Sequence, residues 1–215
     1  MYTIELEDIA SSFGLSIHLY ADDSQLYARF NSDDVESVMN KICQCMQAIK
    51  AWMSMNYLKL NESKTQIICL NSCPSVSNMN TTFKSFDING NIIPCASEVV
   101  NLGVALDFNL CMSTFISNTC AKGYAVLKSL WTVSRSLTYD LKVQLVQNLI
   151  LTKVDYCNAI LYGTTKKELS KLQKLMNASV RFIFNLKGEK YRENIKPCMK
   201  KVHFLPDFNL IIFNV

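Results

Sequence analysis

Apolar and polar positions along this chain change period repeatedly, and each change marks an element. Ile17, Leu19 and Ala21 alternate with His18 and Tyr20, and apolar positions resume at Leu26, Tyr27, Ala28 and Phe30. An alternation of period two broken by Asp22-Asp23 predicts a β-hairpin with both acids at its tip. Ahead of it, Thr3–Phe13 is a short segment with Ile4, Leu6, Ile9 and Ala10 apolar, closed by Gly14. After it, Asn31 or Ser32 is placed to cap a helix whose first turn holds Asp33, Asp34 and Glu36, acids that suit the positive end of a helix dipole. Val35, Val38, Met39, Ile42, Met46, Ile49, Trp52 and Met53 then recur at three- and four-residue steps. That spacing predicts an amphipathic helix with one buried stripe, in which Trp52 is a core anchor.

Beyond Leu58 and Leu60, Asn61-Glu62-Ser63 reads as a turn and Thr65–Leu70 as a strand. Residues 71–82 read as a loop. Asn89-Gly90, flanked by Phe83, Phe86, Ile88 and Ile92-Ile93-Pro94, is a hairpin turn signal. Val99–Leu106 reads as one more strand, with Gly103 inside it as at a bulge or a close backbone approach. After about residue 112 the period becomes helical. Phe115, Ile116, Cys120, Tyr124, Leu127, Leu130 and Trp131 mark one helix, and Thr138 is placed to cap a second carrying Val143, Val146, Leu149, Ile150 and Val154. Thr165-x-x-Glu168 is a capping-box pattern opening a third, with Leu169, Leu172, Leu175, Met176 and Val180 apolar. The predicted fold class is therefore α+β: antiparallel strands plus a helix over residues 1–111, then a small helical bundle over 112–215, with no Gly/Ser linker between them.

With 215 residues, 49% hydrophobic and 19% charged, the chain has the composition of a globular protein rather than a disordered one. No apolar run approaches a membrane span and the N-terminus lacks a signal pattern, so no membrane partner is expected. Nine Cys without a secretory signal point to a reducing, intracellular setting, nucleus or cytoplasm, and to free thiols. Zinc is disfavoured, because paired Cys-x-x-Cys or His spacings are missing and the only His are His18 and His203. The net charge of +4 is unevenly spread: residues 1–60 carry −4 and residues 166–201 carry +8. A basic block interleaved with Phe182, Phe184 and Tyr191 suits a phosphate backbone, and equally suits a solvated helix face.

Asp22 and Asp23 carry the sharpest chemistry. Two neighbouring carboxylates at a tight turn offer oxygen ligands to a hard cation such as Mg²⁺, and two-metal phosphoryl-transfer sites are built from such groups. An acidic solvated turn is the competing reading, since Asp is common in turns.

The longer string His18-Leu19-Tyr20-Ala21-Asp22-Asp23-Ser24-Gln25-Leu26-Tyr27 resembles the Tyr-x-Asp-Asp box of reverse transcriptases, in particular the jockey-like branch of non-LTR retrotransposons. Further segments resemble the same family in the same order. Leu58-Lys59-Leu60-Asn61-Glu62-Ser63-Lys64-Thr65 is similar to its Asn-x-x-Lys-Thr segment. Asn101-Leu102-Gly103-Val104-Ala105-Leu106-Asp107 is similar to its Leu-Gly-x-x-Leu-Asp strand. Val154-Asp155-Tyr156-Cys157-Asn158-Ala159-Ile160-Leu161 and His203-Phe204-Leu205-Pro206 are similar to its thumb.

The resemblance implies a partial polymerase palm followed by a helical thumb, from an RNA-directed DNA polymerase acting on an RNA template, a DNA primer and deoxynucleoside triphosphates. It implies that Asp22 ligates Mg²⁺ (or Mn²⁺), that Asp23 supports it, and that Lys64 serves the triphosphate and the leaving pyrophosphate. Tyr20, Leu102 and Gly103 would contact primer or template. Lys166, Lys167, Lys171, Lys174 and Arg181 are assigned to nucleic acid by charge alone. Lys64 also reads as an ordinary turn lysine, and Leu102-Gly103 as a structural turn in a strand. The family's first metal-binding Asp and its fingers precede the segment at which this chain begins, and only 19 residues stand before Tyr20. The expectation is a C-terminal fragment that is inactive alone. The alternatives are a non-catalytic nucleic-acid-binding module or a degraded remnant.

Overall fold

In the computed structural model, residues 4–31, 34–70, 85–88, 91–186 and 195–202 are described. Ile4–Ser12 forms α1, which buries Leu6 and Ala10 completely. The helix closes as Gly14 N–H donates to the Ser11 carbonyl (2.9 Å) and Leu15 N–H to the Ala10 carbonyl (3.0 Å), satisfying two of its terminal acceptors. Strands β1 (Ser16–Tyr20) and β2 (Asp23–Tyr27) then pair antiparallel, from Ser16 opposite Tyr27 to Tyr20 opposite Asp23. Their inner residues Ile17, Leu19 and Leu26 pack against a core of Leu6, Ala10, Leu15, Cys45, Ile49 and Trp52. The other face leaves Ser16, His18, Tyr20 and Tyr27 exposed, as a period-two pattern requires.

Helix α2 (Val35–Met55) supplies three of those core residues, Cys45, Ile49 and Trp52. Trp52 is the anchor its spacing predicts, and its indole N–H also donates to the Glu5 carboxylate of α1 at 2.5 Å. The cap differs from expectation: Asp34 takes the N-cap position without a side-chain cap bond, and Asn31 contributes its carbonyl to Asp34 N–H instead. Ser32 and Asp33 lie outside the described residues, as do the 71–82 loop, Phe83 and Asn89-Gly90. A 3-10 turn at Glu62–Lys64 leads into β3, which is reduced to Ile67–Ile68 from the predicted Thr65–Leu70. Strand β4 (Ser85–Ile88) pairs antiparallel with β5 (Asn91–Ala96), and β3 runs parallel to β5.

The chain divides into two compact units, Met1–Ser97 and Glu98–Val215, earlier than the expected 111/112 boundary. The reason lies in the predicted strand Val99–Leu106, which is in fact a hairpin of β6 (Glu98–Asn101) and β7 (Val104–Asp107). Leu102 (φ 46°) and Gly103 (φ 82°) both adopt left-handed backbone, the geometry of a two-residue turn whose twist matches its strands. Val104 and Ala105 are buried in the same cluster as the helices that follow, so the hairpin belongs with them.

Those helices are α3 (Ser113–Thr132), α4 (Tyr139–Val146), α5 (Thr152–Asp155), α6 (Lys166–Ile183) and α7 (Ile195–Lys201). Helix α3 packs along α6 so closely that a Cβ on Gly123 would stand 2.6 Å from Leu175 Cδ2, so only glycine permits this approach without displacing Leu175. Trp131 stacks edge-on against Phe182 at 5.3 Å. Thr138 and Thr165 cap as predicted, their hydroxyls accepting from Leu141 N–H and Glu168 N–H, each at 3.4 Å. The predicted second helix is interrupted by a π turn at Gln147–Leu151, which leaves Leu149 exposed where the spacing predicts it inside. The chain is α+β, and among the described residues no helix is long and apolar enough to cross a membrane.

Candidate functional site

Asp22 and Asp23 stand where the alternation places them. Ala21 (φ 54°) and Asp22 form the two-residue turn between Tyr20 and Asp23, and all four residues are exposed. Because opposed residues of a pair point to the same face, Tyr20 and Asp23 share the outer face of the hairpin. The inner face is anchored on α1 and α2, so the acids sit on a fixed tip rather than a free loop. Among the described residues, no group of three or more His, Cys, Asp or Glu is placed to share a metal ion.

Lys64 is exposed and ends the 3-10 turn, its N–H donating to the Asn61 carbonyl at 3.1 Å. Asn61 organises this segment, also accepting from Ser63 Oγ on its side chain (2.7 Å) and from Thr65 Oγ1 on its carbonyl (3.1 Å).

The second unit gathers a different group. Tyr156 donates its hydroxyl to the Leu102 carbonyl at 2.5 Å, and its ring passes 3.8 Å from where a Cβ of Gly103 would stand. The turn that the sequence reading singles out is thus held by a residue 54 positions later. Asp107 closes the same hairpin by accepting from Asn109 N–H (3.1 Å) and Cys111 N–H (3.0 Å). Burial raises its pKa, but these bonds and that from the Cys111 thiol outweigh it and hold the carboxyl below its ordinary value.

On α6, Leu172, Leu175, Met176, Ser179, Val180, Phe182 and Ile183 face the core. Lys167, Lys174 and Arg181 follow at helical spacing on the opposite side, and Lys166 and Lys171 fall on the two flanks. They are not equivalent. Lys171 is paired with Glu168 at 2.6 Å and donates to Ser117 Oγ at 3.3 Å, whereas Lys174 is exposed. The hydrogen bond from Lys171 holds the Glu168 carboxyl below the usual range. Tyr191, like the His203–Pro206 segment, lies outside the described residues.

No family model, curated protein or solved structure matches the chain.

Two further features escape the sequence reading. Lys142 is a fully buried lysine, its ammonium donating to Asn185 Oδ1 at 2.7 Å and standing 5.5 Å over the Phe182 ring. Ser134 Oγ donates to the same Asn185 oxygen at 3.1 Å. The local signal was slight: Lys142 stands four residues before buried Val146, and the π turn that follows brings Ile150 and Val154 to the same side. A cleft of about 320 Å³, lined by Tyr139, Asp140, Val143, Gln144, Gln147, Lys201 and Val202, contains none of the predicted site residues.

Proposed function

We propose that the chain is a portion of an RNA-directed DNA polymerase of the non-LTR retrotransposon type, with part of a palm in its first unit and a nucleic-acid-holding thumb in its second. The observation that carries this reading is the β1–β2 hairpin, which leaves Asp22 and Asp23 exposed on a tip whose other face is anchored. Two carboxylates are the hard oxygen donors that Mg²⁺ or Mn²⁺ takes, so the residues fit such an ion, Asp22 as ligand and Asp23 in support. A bound cation would stabilise charge on the phosphoryl group being transferred. Lys64 supplies a positive charge for the triphosphate and a proton for departing pyrophosphate. Tyr20, Leu102 and Gly103 serve primer or template, and Lys166, Lys167, Lys174 and Arg181 follow the backbone, with Lys171 partly neutralised.

Because metal-dependent phosphoryl transfer leans on carboxylates acting together, two of them make this chain a binder of primer–template rather than an extender of it. The test is primer extension on an RNA template with Mg²⁺ by the chain and its Asp22→Ala variant, with duplex binding measured across salt concentrations. Salt-sensitive binding without extension is the expected result. Extension that disappears in Asp22→Ala would overturn the inactivity, and absence of salt-sensitive binding would sink the assignment.

The basic face of α6 also favours a second reading, a nucleic-acid-binding module with no metal chemistry. Mn²⁺ broadening of the Tyr20 and Ala21 amide signals, lost in Asp22→Ala, separates the two: its absence selects the second.

A further inference from the structure

Apart from any polymerase chemistry, the first unit brings two thiols into contact. Cys69 Sγ and Cys95 Sγ are 3.4 Å apart, and both residues are half-buried and unbridged. The sheet explains why. Strand β3 runs parallel to β5 with Ile67 opposite Cys95, and Cys69, two residues on, returns to the face that Ile67 shares with Cys95. The ladder ends at Ile68, so the Cys69 backbone is not held by strand pairing. A disulfide needs sulfurs about 2.05 Å apart, so closing this pair asks for an approach of roughly 1.4 Å.

We infer that Cys69 and Cys95 form a redox pair that closes to an intramolecular disulfide when the protein meets a peroxide. Burial, together with the neighbouring thiol, pushes the Cys69 pKa up to about 12, and Cys69 takes the second, resolving step. The Cys95 sulfur attacks one peroxide oxygen, breaking the O–O bond and giving a sulfenic acid and one water. Cys69 sulfur then attacks the sulfenic sulfur, the S–S bond forms, and the hydroxyl leaves with the Cys69 proton as a second water. The two thiols lose two electrons and two protons, and the peroxide gains them. A thiol reductant reverses the reaction. The bond would tie the segment that carries Lys64, five residues before Cys69, to β5.

The test treats the full chain with hydrogen peroxide, blocks remaining thiols by alkylation, and maps tryptic peptides without reduction. Trypsin cuts after Lys64, Lys84 and Lys122, so Cys69 and Cys95 fall on separate peptides, and fragmentation distinguishes them from Cys73, Cys111 and Cys120. The expected result is a Cys69–Cys95 crosslink, lighter by two hydrogens, that appears before the exposed Cys111 and Cys157 are consumed and disappears with dithiothreitol. In Cys69→Ser, dimedone should instead trap a sulfenic acid at Cys95. Both thiols remaining alkylatable after Cys111 and Cys157 are oxidised would overturn the inference, as would Cys69 crosslinked mainly to another cysteine. The wild-type map decides the matter even if the variant folds poorly.

Discussion

The two units invest very differently in packing. Among the described residues, the hydrophobic cluster of the first contains 6 buried side chains and that of the second contains 21. A fully buried Leu or Phe contributes roughly 1.5–3 kcal/mol, so the second unit has ample apolar burial of its own, while the first depends on a few residues. The carboxylate tip sits on the thinner core and the basic helix face on the thicker one. The lesson is that stability and candidate catalytic chemistry are separable here. Nucleic-acid binding through α6 should outlast damage that removes the acidic site.

Each unit holds one of the two tryptophans, so each reports on itself. The largest predicted effect is at Trp52. Trp52→Ala should cost about 3–5 kcal/mol, enough to unfold a unit with so small a core, while the urea transition followed by Trp131 fluorescence stays in place. Leu175→Ala should cost about 2–5 kcal/mol, lower the Trp131 midpoint and leave the second unit folded. If Trp52→Ala shifts the Trp131 transition, or Leu175→Ala shifts the Trp52 transition as much as that of Trp131, the comparison fails.

Lys142 comes next. Truncation to Ala leaves a cavity and strips Asn185 and Phe182 of their cation, for a loss of about 2–4 kcal/mol in the Trp131 transition. Lys142→Met keeps the stem without the charge and should recover most of that loss. A Met variant as unstable as Ala would show that the charge, not the filling, matters.

A smaller effect belongs to Asp107. Its carboxyl titrates lower in the folded chain than in the unfolded one. Its contribution is therefore present above the unfolded value near pH 4 and is lost as pH falls through the folded one. Urea midpoints between pH 5 and pH 3 should fall less steeply in Asp107→Asn than in the parent. Last, Lys174→Ala should lower the salt slope of duplex binding by about 1, whereas Lys171→Ala should barely change it, because Glu168 already holds Lys171.

What the sequence made legible was whatever a local period or cap can encode. The hairpin around Asp22, the α2 stripe ending at Trp52, and the caps at Thr138 and Thr165 all depend on neighbours within a few residues. The β6–β7 turn was only half legible: Gly103 marked a bulge or turn, but Leu102 is a poor signal for left-handed backbone, and the turn's support, Tyr156, arrives from far along the chain. The Cys69–Cys95 contact likewise needs the β3–β5 pairing to exist before it can be seen. Lys142 was not singled out, because charge argues for exposure, and its burial beside Val146, Ile150 and Val154 depends on the π turn between them. Of the candidate site, the positions of the acids were readable, but the unequal roles of Lys171 and Lys174 were not, since an ion pair to Glu168 is a matter of rotamer rather than spacing.

The π turn at Gln147–Leu151 has a consequence for how this chain tolerates insertions and deletions. In an unbroken α-helix, four-residue steps drift by about 40° each, so Lys142, Val146, Ile150 and Val154 would spiral away from one another. They are instead buried together, which is the arithmetic of an ordinary helix that has absorbed one surplus residue in a widened turn. Leu149 is the exposed leucine of that turn. Loss of its codon would tighten the turn to a regular one and leave Val154 and Tyr156 in phase, whereas loss of a codon within α3 or α6 would rotate everything downstream by about 100°.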